Sequence, residues 1–283
     1  MAHSHPLVAD ICDRLSCRSL DEALDRLAER TLASASQDRL PVSLESVAAQ
    51  FGIRDIRYER IPVDACLIPT SATEYKVVVS SEASQSRQRF SLAHEIAHAA
   101  IHALIPETRR FATRTIFTQP QSRVEERLCD AIAARLLMPG GLIRLAWSQR
   151  EISIPLIQAV ARDARVSLAA AARRLNEVSS STFGVLHVHG AIGQPVRITR
   201  VINLDGSWRR LYPGYQLPVD SPVGRAIESR GEVADWAWVP LLNVRYRWFL
   251  KAWARGFCRD GDAAFATISA DPECRVAMAE WKK

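Results

Sequence analysis

Three features of the 283-residue chain predict an α+β fold of two to three modules. Apolar residues recur at helical spacing in several segments, and a run dense in β-branched residues stands among them. After residue 182 the composition changes: six of the seven tryptophans (Trp208, Trp236, Trp238, Trp248, Trp253, Trp281) lie beyond it. At 48% hydrophobic, the chain can bury one or two sizeable cores.

In chain order, the N-terminal part is helical. Leu20, Ala23, Leu24, Leu27 and Leu32 lie close to helical spacing, and Ser43 to Phe51 predicts a second, short helix stopped by Gly52. Ile53 to Ile61 reads as extended, and Tyr75-Lys76-Val77-Val78-Val79-Ser80 is the clearest strand. Phe90 to Ile105, FSLAHEIAHAAIHALI, is apolar on nearly every face and predicts a buried helix. SRVEERLCDAIAARLLMP predicts the next helix, ended by Pro139 and Gly140. Ser153 to Val178 reads as helix, turn, helix, with Ser167 capping the second. Ser179 to Thr182 is a short linker, and strands are expected at Phe183 to Val188 and Val196 to Leu204.

The buried helix carries the chemistry. His94, Glu95, Ile96, Ala97 and His98 spell H-E-x-x-H. Four residues of helix turn about 400° and rise about 6 Å, so the two imidazoles share a face and can bind one ion. Glu95 then stands beside the ion as the general base toward an attacking water, which points to a zinc hydrolase. Two histidines at this spacing can also be a plain solvated helix face. Here the apolar setting opposes that, because buried imidazoles and a buried carboxylate need partners that a metal supplies.

A third protein ligand is expected in the following helix. Glu126 and Asp130 are four apart and share a face, so Glu126 can ligate while Asp130 accepts a hydrogen bond from a ligand imidazole. Glu125 is the competitor, and an ordinary acidic helix start would explain it. His102, Tyr58 and Tyr75 are candidates to stabilise the oxyanion or line the site. His102 lies about 80° round and about 12 Å along the helix from His94, too far to join the same ion.

The run Arg89-Phe90-Ser91-Leu92-Ala93-His94-Glu95-Ile96-Ala97-His98, together with His102, Glu126 to Asp130 and Leu136-Leu137-Met138-Pro139, resembles the ImmA/IrrE family of metallopeptidases. The resemblance covers roughly residues 40 to 178. Departures are Cys129-Asp130 where Ala-Asn is usual, Ile132 where Phe is usual, and Ile96-Ala97 where Leu-Gly is usual. The resemblance implies a zincin-like metallopeptidase core at residues 1–140 holding Zn2+, and a helix-turn-helix-like helical subdomain at 141–180. It implies an intracellular endopeptidase whose protein substrate is a helix-turn-helix repressor, cleaved to release stress-response or mobile-element genes. A strand such as Tyr75 to Ser80 then has two readings: a sheet edge that pairs with extended substrate, or a plain core strand.

Residues 183–283 are expected to form a C-terminal α+β sensor or docking domain. Tyr212 through Pro222-Val223-Gly224-Arg225-Ala226 to Val239-Pro240-Leu241 resembles a GAF-type sensor, which could take a small-molecule effector. The six cysteines lack C-x-x-C spacing, which argues against a disulfide framework or zinc ribbon; Cys129 is read as packing rather than redox sensing. His3 and His5 receive no role. With no apolar leader or membrane span in the sequence, a cytoplasmic protein with no membrane partner is expected.

The formal charge of +6 and pI near 9.2 invite a nucleic-acid reading, in which Arg173, Arg174 and Asn176 would lie on a recognition helix. Packing is the preferred explanation for that Ala-rich helix, so DNA binding is not favoured. The function expected is a zinc-dependent endopeptidase that uses Glu95, His94, His98 and Glu126. The rival is a non-enzymatic, DNA-binding transcription regulator with a structural zinc.

Overall fold

The computed structural model describes residues 5–108, 123–147, 153–179, 183–202, 213–242, 247–258 and 263–270. The chain divides into two compact units: Met1–Ser148 with Val160–Ala170, and Gln149–Ala159 with Ala171–Lys283.

The first unit opens on α1 (Pro6–Leu15), α2 (Leu20–Ser34) and α3 (Leu44–Gln50). Helix α1 is too short to stand out as a periodic pattern; Pro6 starts it and Leu7, Val8, Ile11, Cys12 and Leu15 bury one face. His5 is its N-cap residue, without a side-chain capping bond. Ser19 Oγ accepts the Glu22 N–H at 3.2 Å and Ser43 Oγ the Ser46 N–H at 3.3 Å, which fixes the starts of α2 and α3. After α3 the chain turns through Gly52 at φ 75, where a Cβ would collide with the Thr73 carbonyl.

Strands β1 (Ile53–Glu59), β2 (Ala65–Pro69) and β3 (Tyr75–Ser80) form a sheet in the order β1-β3-β2, with β1 parallel and β2 antiparallel to β3. Strand β3 is therefore central, and all of it except Lys76 is buried, so the core-strand reading holds and the edge reading does not. The edge beside the next helix is β2, whose short run before Pro69 gives no alternating signal.

Helix α4 (Gln85–Leu104) packs on β2 and β3 on one side and on α5 (Arg123–Leu137) on the other. Its first turn is polar, which is why apolar periodicity alone places its start too late. Leu92, Ile96 and Ile101 are fully buried, each contributing about 1.5–3 kcal/mol by leaving water. Helix α5 stops before Pro139 as expected, but a further helix, α6 (Gly140–Trp147), follows at once. Buried Arg135 ties α5 to α2, donating from Nε to Asp25 at 3.0 Å and from Nη2 to Asp21 at 2.9 Å.

Helices α7 (Ile154–Ala164) and α8 (Leu168–Val178) form where expected, and Ser167 Oγ accepts the Ala170 N–H at 3.2 Å. Arg174, offered as a base-reading residue, is 2% exposed and donates to Glu177 at 2.8 Å, whereas Arg173 is exposed. Among the described residues no helix is long and apolar enough to cross a membrane.

In the second unit β4 (Phe183–His189), β5 (Val196–Ile202), β6 (Gln216–Leu217), β7 (Glu232–Leu242), β8 (Arg247–Cys258) and β9 (Ala263–Ala270) make one antiparallel sheet, ordered β6-β5-β4-β9-β8-β7. Helix α9 (Pro222–Ser229) crosses between β6 and β7 and packs on β7 and β8. Its Gly224 lies so close to the Val219 carbonyl that no side chain fits. Trp236 and Trp238 fall on β7, Trp248 and Trp253 on β8; Trp208, Trp281, His3, Cys274 and residues 180–182 lie outside the described residues.

Candidate metal centre

Helices α4 and α5 build the site between them. Spaced one turn apart on α4, His94 and His98 turn their Nε2 atoms to within 3.2 Å of each other. Glu126 on α5 faces both: Oε2 is 3.2 Å from His94 Nε2 and Oε1 is 3.5 Å from His98 Nε2. The other ring nitrogens are held from behind, His94 Nδ1 lying 2.9 Å from Asp130 Oδ1 and His98 Nδ1 lying 3.3 Å from Glu125 Oε1.

This pattern sets the tautomers. A neutral imidazole whose Nδ1–H donates to a carboxylate carries its lone pair on Nε2, so with both rings neutral two lone pairs and a carboxylate converge on one point. Such a point repels itself without a cation. Glu126 Oε1 is moreover buried without a hydrogen-bond partner. Nitrogen and carboxylate oxygen donors at this spacing fit a zinc ion.

The electrostatics agree. Without an ion, protons take its place: hydrogen bonds from the imidazole N–H of His94, then of His98, pull the Glu126 carboxyl down to about 2. Burial alone would lower His98, but Cys129, Glu125 and Glu126 outweigh it and hold this imidazole well above its ordinary value. Burial pushes the Cys129 thiol up to about 11. The thiol is therefore neutral near pH 7, and we attribute the rise in His98 to the two carboxylates. Glu95 is raised, chiefly by burial, while His98, His94 and the Leu67 backbone N–H, which donates to it, pull the other way. A carboxyl so balanced can both take and return a proton.

Sequence reasoning ranked Glu125 only as a competing ligand; its position behind His98 depends on the lateral packing of α4 on α5, which no residue spacing reports. Cys129 was likewise read as packing, and it is wholly buried. Its sulfur, however, hydrogen-bonds His98 and lies with one ring nitrogen each of His94 and His98 in a group whose ligand atoms are all within 4.8 Å. Two donor sets thus share the two histidines, one completed by Glu126 and one by Cys129. Glu126 already carries its charge, whereas the thiol must lose a proton before it can ligate.

The remaining candidates sit apart. Tyr75 Oη lies 3.3 Å from His102 Nδ1, and both residues are buried. The His102 ring centroid is 6.4 Å from that of His98. Tyr58 is 48% exposed and lies beside Glu45 and Arg89.

Residues 47–176 match the model of the IrrE N-terminal-like domain, a span that holds α4, α5 and every ligand candidate. No curated protein matches. A solved structure of a Mycobacterium tuberculosis transcriptional regulator is similar at 16% identity over 94% of this chain and 93% of that one, with a TM-score of 0.48. Residues 47–176 are thus an IrrE N-terminal-like domain, which supports membership of the ImmA/IrrE family.

Proposed function

We propose that the protein is a zinc-dependent endopeptidase that acts in the cytoplasm on a helix-turn-helix repressor and thereby induces stress-response or mobile-element genes. The observation that carries this reading is the convergence of two imidazole Nε2 atoms and the Glu126 carboxylate beside the half-buried Glu95. His94, His98 and Glu126 would hold the ion, with Asp130 and Glu125 orienting the imidazoles. Zinc bound there supplies Lewis acidity, which brings a water's pKa toward about 7 and polarises a carbonyl. Glu95 accepts the proton of the attacking water and delivers it to the leaving amide nitrogen. Strand β2, at the sheet edge and with its Leu67 N–H aimed at Glu95, is placed to line up an extended peptide. His102 and Tyr75 hold each other in the core next to His98. In this reading residues 1–140 are the peptidase, 141–180 a helix-turn-helix-like subdomain and 183–283 a sensor or docking domain, GAF-like in type.

One observation favours the rival regulator reading. Were Cys129 a fourth protein ligand, the site would be closed, as structural zinc sites are. Glu95→Gln separates the two readings, because it removes the proton acceptor and spares every ligand. With zinc content and stability unchanged, cleavage of a co-expressed helix-turn-helix repressor should fall by roughly 10²-fold or more. If Glu95→Gln still induces the same genes, and Cys129→Ala instead releases the zinc, the site is structural.

A further inference from the structure

Outside the metal centre, strands β4 and β5 bring together a cluster of cationic and imidazole side chains. His187 pairs across the ladder with Arg200, and His189 with Arg197. Neither strand contains an Asp or Glu. A register shift at His187/Val188 leaves both Thr199 and Arg200 exposed, so the two pairs share one surface with Thr199.

A cavity of about 480 Å³ opens there, lined by His189, Arg197, Ile198, Thr199, Pro213 and Gly214. That volume suits a small molecule. Its floor is pinned, because the Gly214 N–H donates to the Ile198 carbonyl at 2.7 Å and the Ile198 N–H to the Tyr215 carbonyl at 2.8 Å. Gly214, at φ 99, backs onto the guanidinium: a Cβ there would stand 3.8 Å from Arg197 Nη2. Thr199 Oγ1 donates to the His187 carbonyl and so accepts from His187 Nδ1–H at 2.7 Å, which orients that ring.

We propose that this cavity is a binding site for a small phosphate-bearing anion. Arg197 would grip phosphate oxygens with its planar fork, and the His189 imidazole N–H would add a second donor. The cavity size and the single Arg–His pair at its mouth favour a small ligand over a nucleic-acid backbone, which needs a longer basic track.

The test is calorimetric titration of the full chain with inorganic pyrophosphate. We expect saturable binding of one ligand per chain, weakened about 10-fold or more by Arg197→Gln and measurably by His189→Gln. The control Arg30→Gln, on the exposed face of α2, should change nothing. Absence of saturable binding, or equal weakening by the control, overturns the proposal and leaves a plain solvated basic face. If random-sequence duplex DNA binds through Arg197 and pyrophosphate does not displace it, the small-ligand assignment also fails. The metal centre is untouched by these variants, so neither result bears on the peptidase reading.

Discussion

At the scale of single residues the two helices divide the labour: α4 supplies the imidazoles and α5 the carboxylates that face or orient them. Glu126 and Glu125 are adjacent in sequence yet touch opposite sides of His98. Their substitutions should therefore differ in kind. Glu126→Ala removes a donor and should leave the purified protein with little zinc. Glu125→Ala removes only a partner of Nδ1 and should keep about one zinc per chain, with affinity roughly 10–100-fold lower. Elemental analysis showing the reverse would exchange their roles. Protons follow the same logic. Without metal, the Glu126 carboxyl is held near 2 against an ordinary value of 4.5, so its contribution to stability is present above 4.5 and is lost as pH falls toward 2. His98 is raised above 6.5, so its contribution is present below 6.5 and is lost as pH climbs through the raised value. Metal-free protein should thus be most stable between these limits. Zinc needs a neutral His98, so zinc uptake at pH 7 should release about one proton, measurable by calorimetry in buffers of different ionisation enthalpy. Uptake without proton release would mean that His98 is already neutral.

At the scale of elements, the site depends on how α5 is seated. Arg135, 5% exposed, reaches Asp21 and Asp25 on α2 and returns an Nη1 bond to the Ala131 carbonyl at 3.2 Å. Its acidic partners are largely solvated, so deleting the charge strands no buried ion. Arg135→Met keeps the apolar stem and loses the hydrogen bonds, and should cost about 1–3 kcal/mol in chemical denaturation and loosen zinc by shifting Glu126. Unchanged stability would show that packing alone seats α5. The same elements show why some of the fold was legible and some not. The H-E-x-x-H run and the i, i+4 pair Glu126 and Asp130 are spaced within single helices, and helical geometry turns such spacing into position. Strand β3 announced itself by β-branched density, but its central place did not, because order in a sheet is a long-range property. Strand β2, five residues ending in proline, and α1, a ten-residue helix, carry too little periodicity to be seen. Leu67 as a site residue, and the place of Glu125 behind His98, are consequently invisible until the helices and the edge strand are packed.

At the scale of the molecule, α2, α4, α5 and the three-stranded sheet all fall in the first unit, and so do His94, Glu95, His98, Glu126 and Asp130. The six-stranded sheet falls in the second, with its own buried set: Val185, Val188, Val196, Ile198, Leu217, Val223 and Ile227. A core that buries its own apolar residues can persist without its neighbour. Removal of residues 183–283 should therefore leave a soluble protein that unfolds cooperatively and still binds about one zinc. What should change is regulation or choice of substrate: the truncated enzyme should cut a repressor with altered dependence on inducing conditions, since the proposed phosphate site leaves with β4 and β5. The comparison is repressor cleavage by the full and shortened chains, each with and without Glu95→Gln. A shortened chain that is insoluble or metal-free would show that the C-terminal sheet is part of the catalytic core and not a module appended to it.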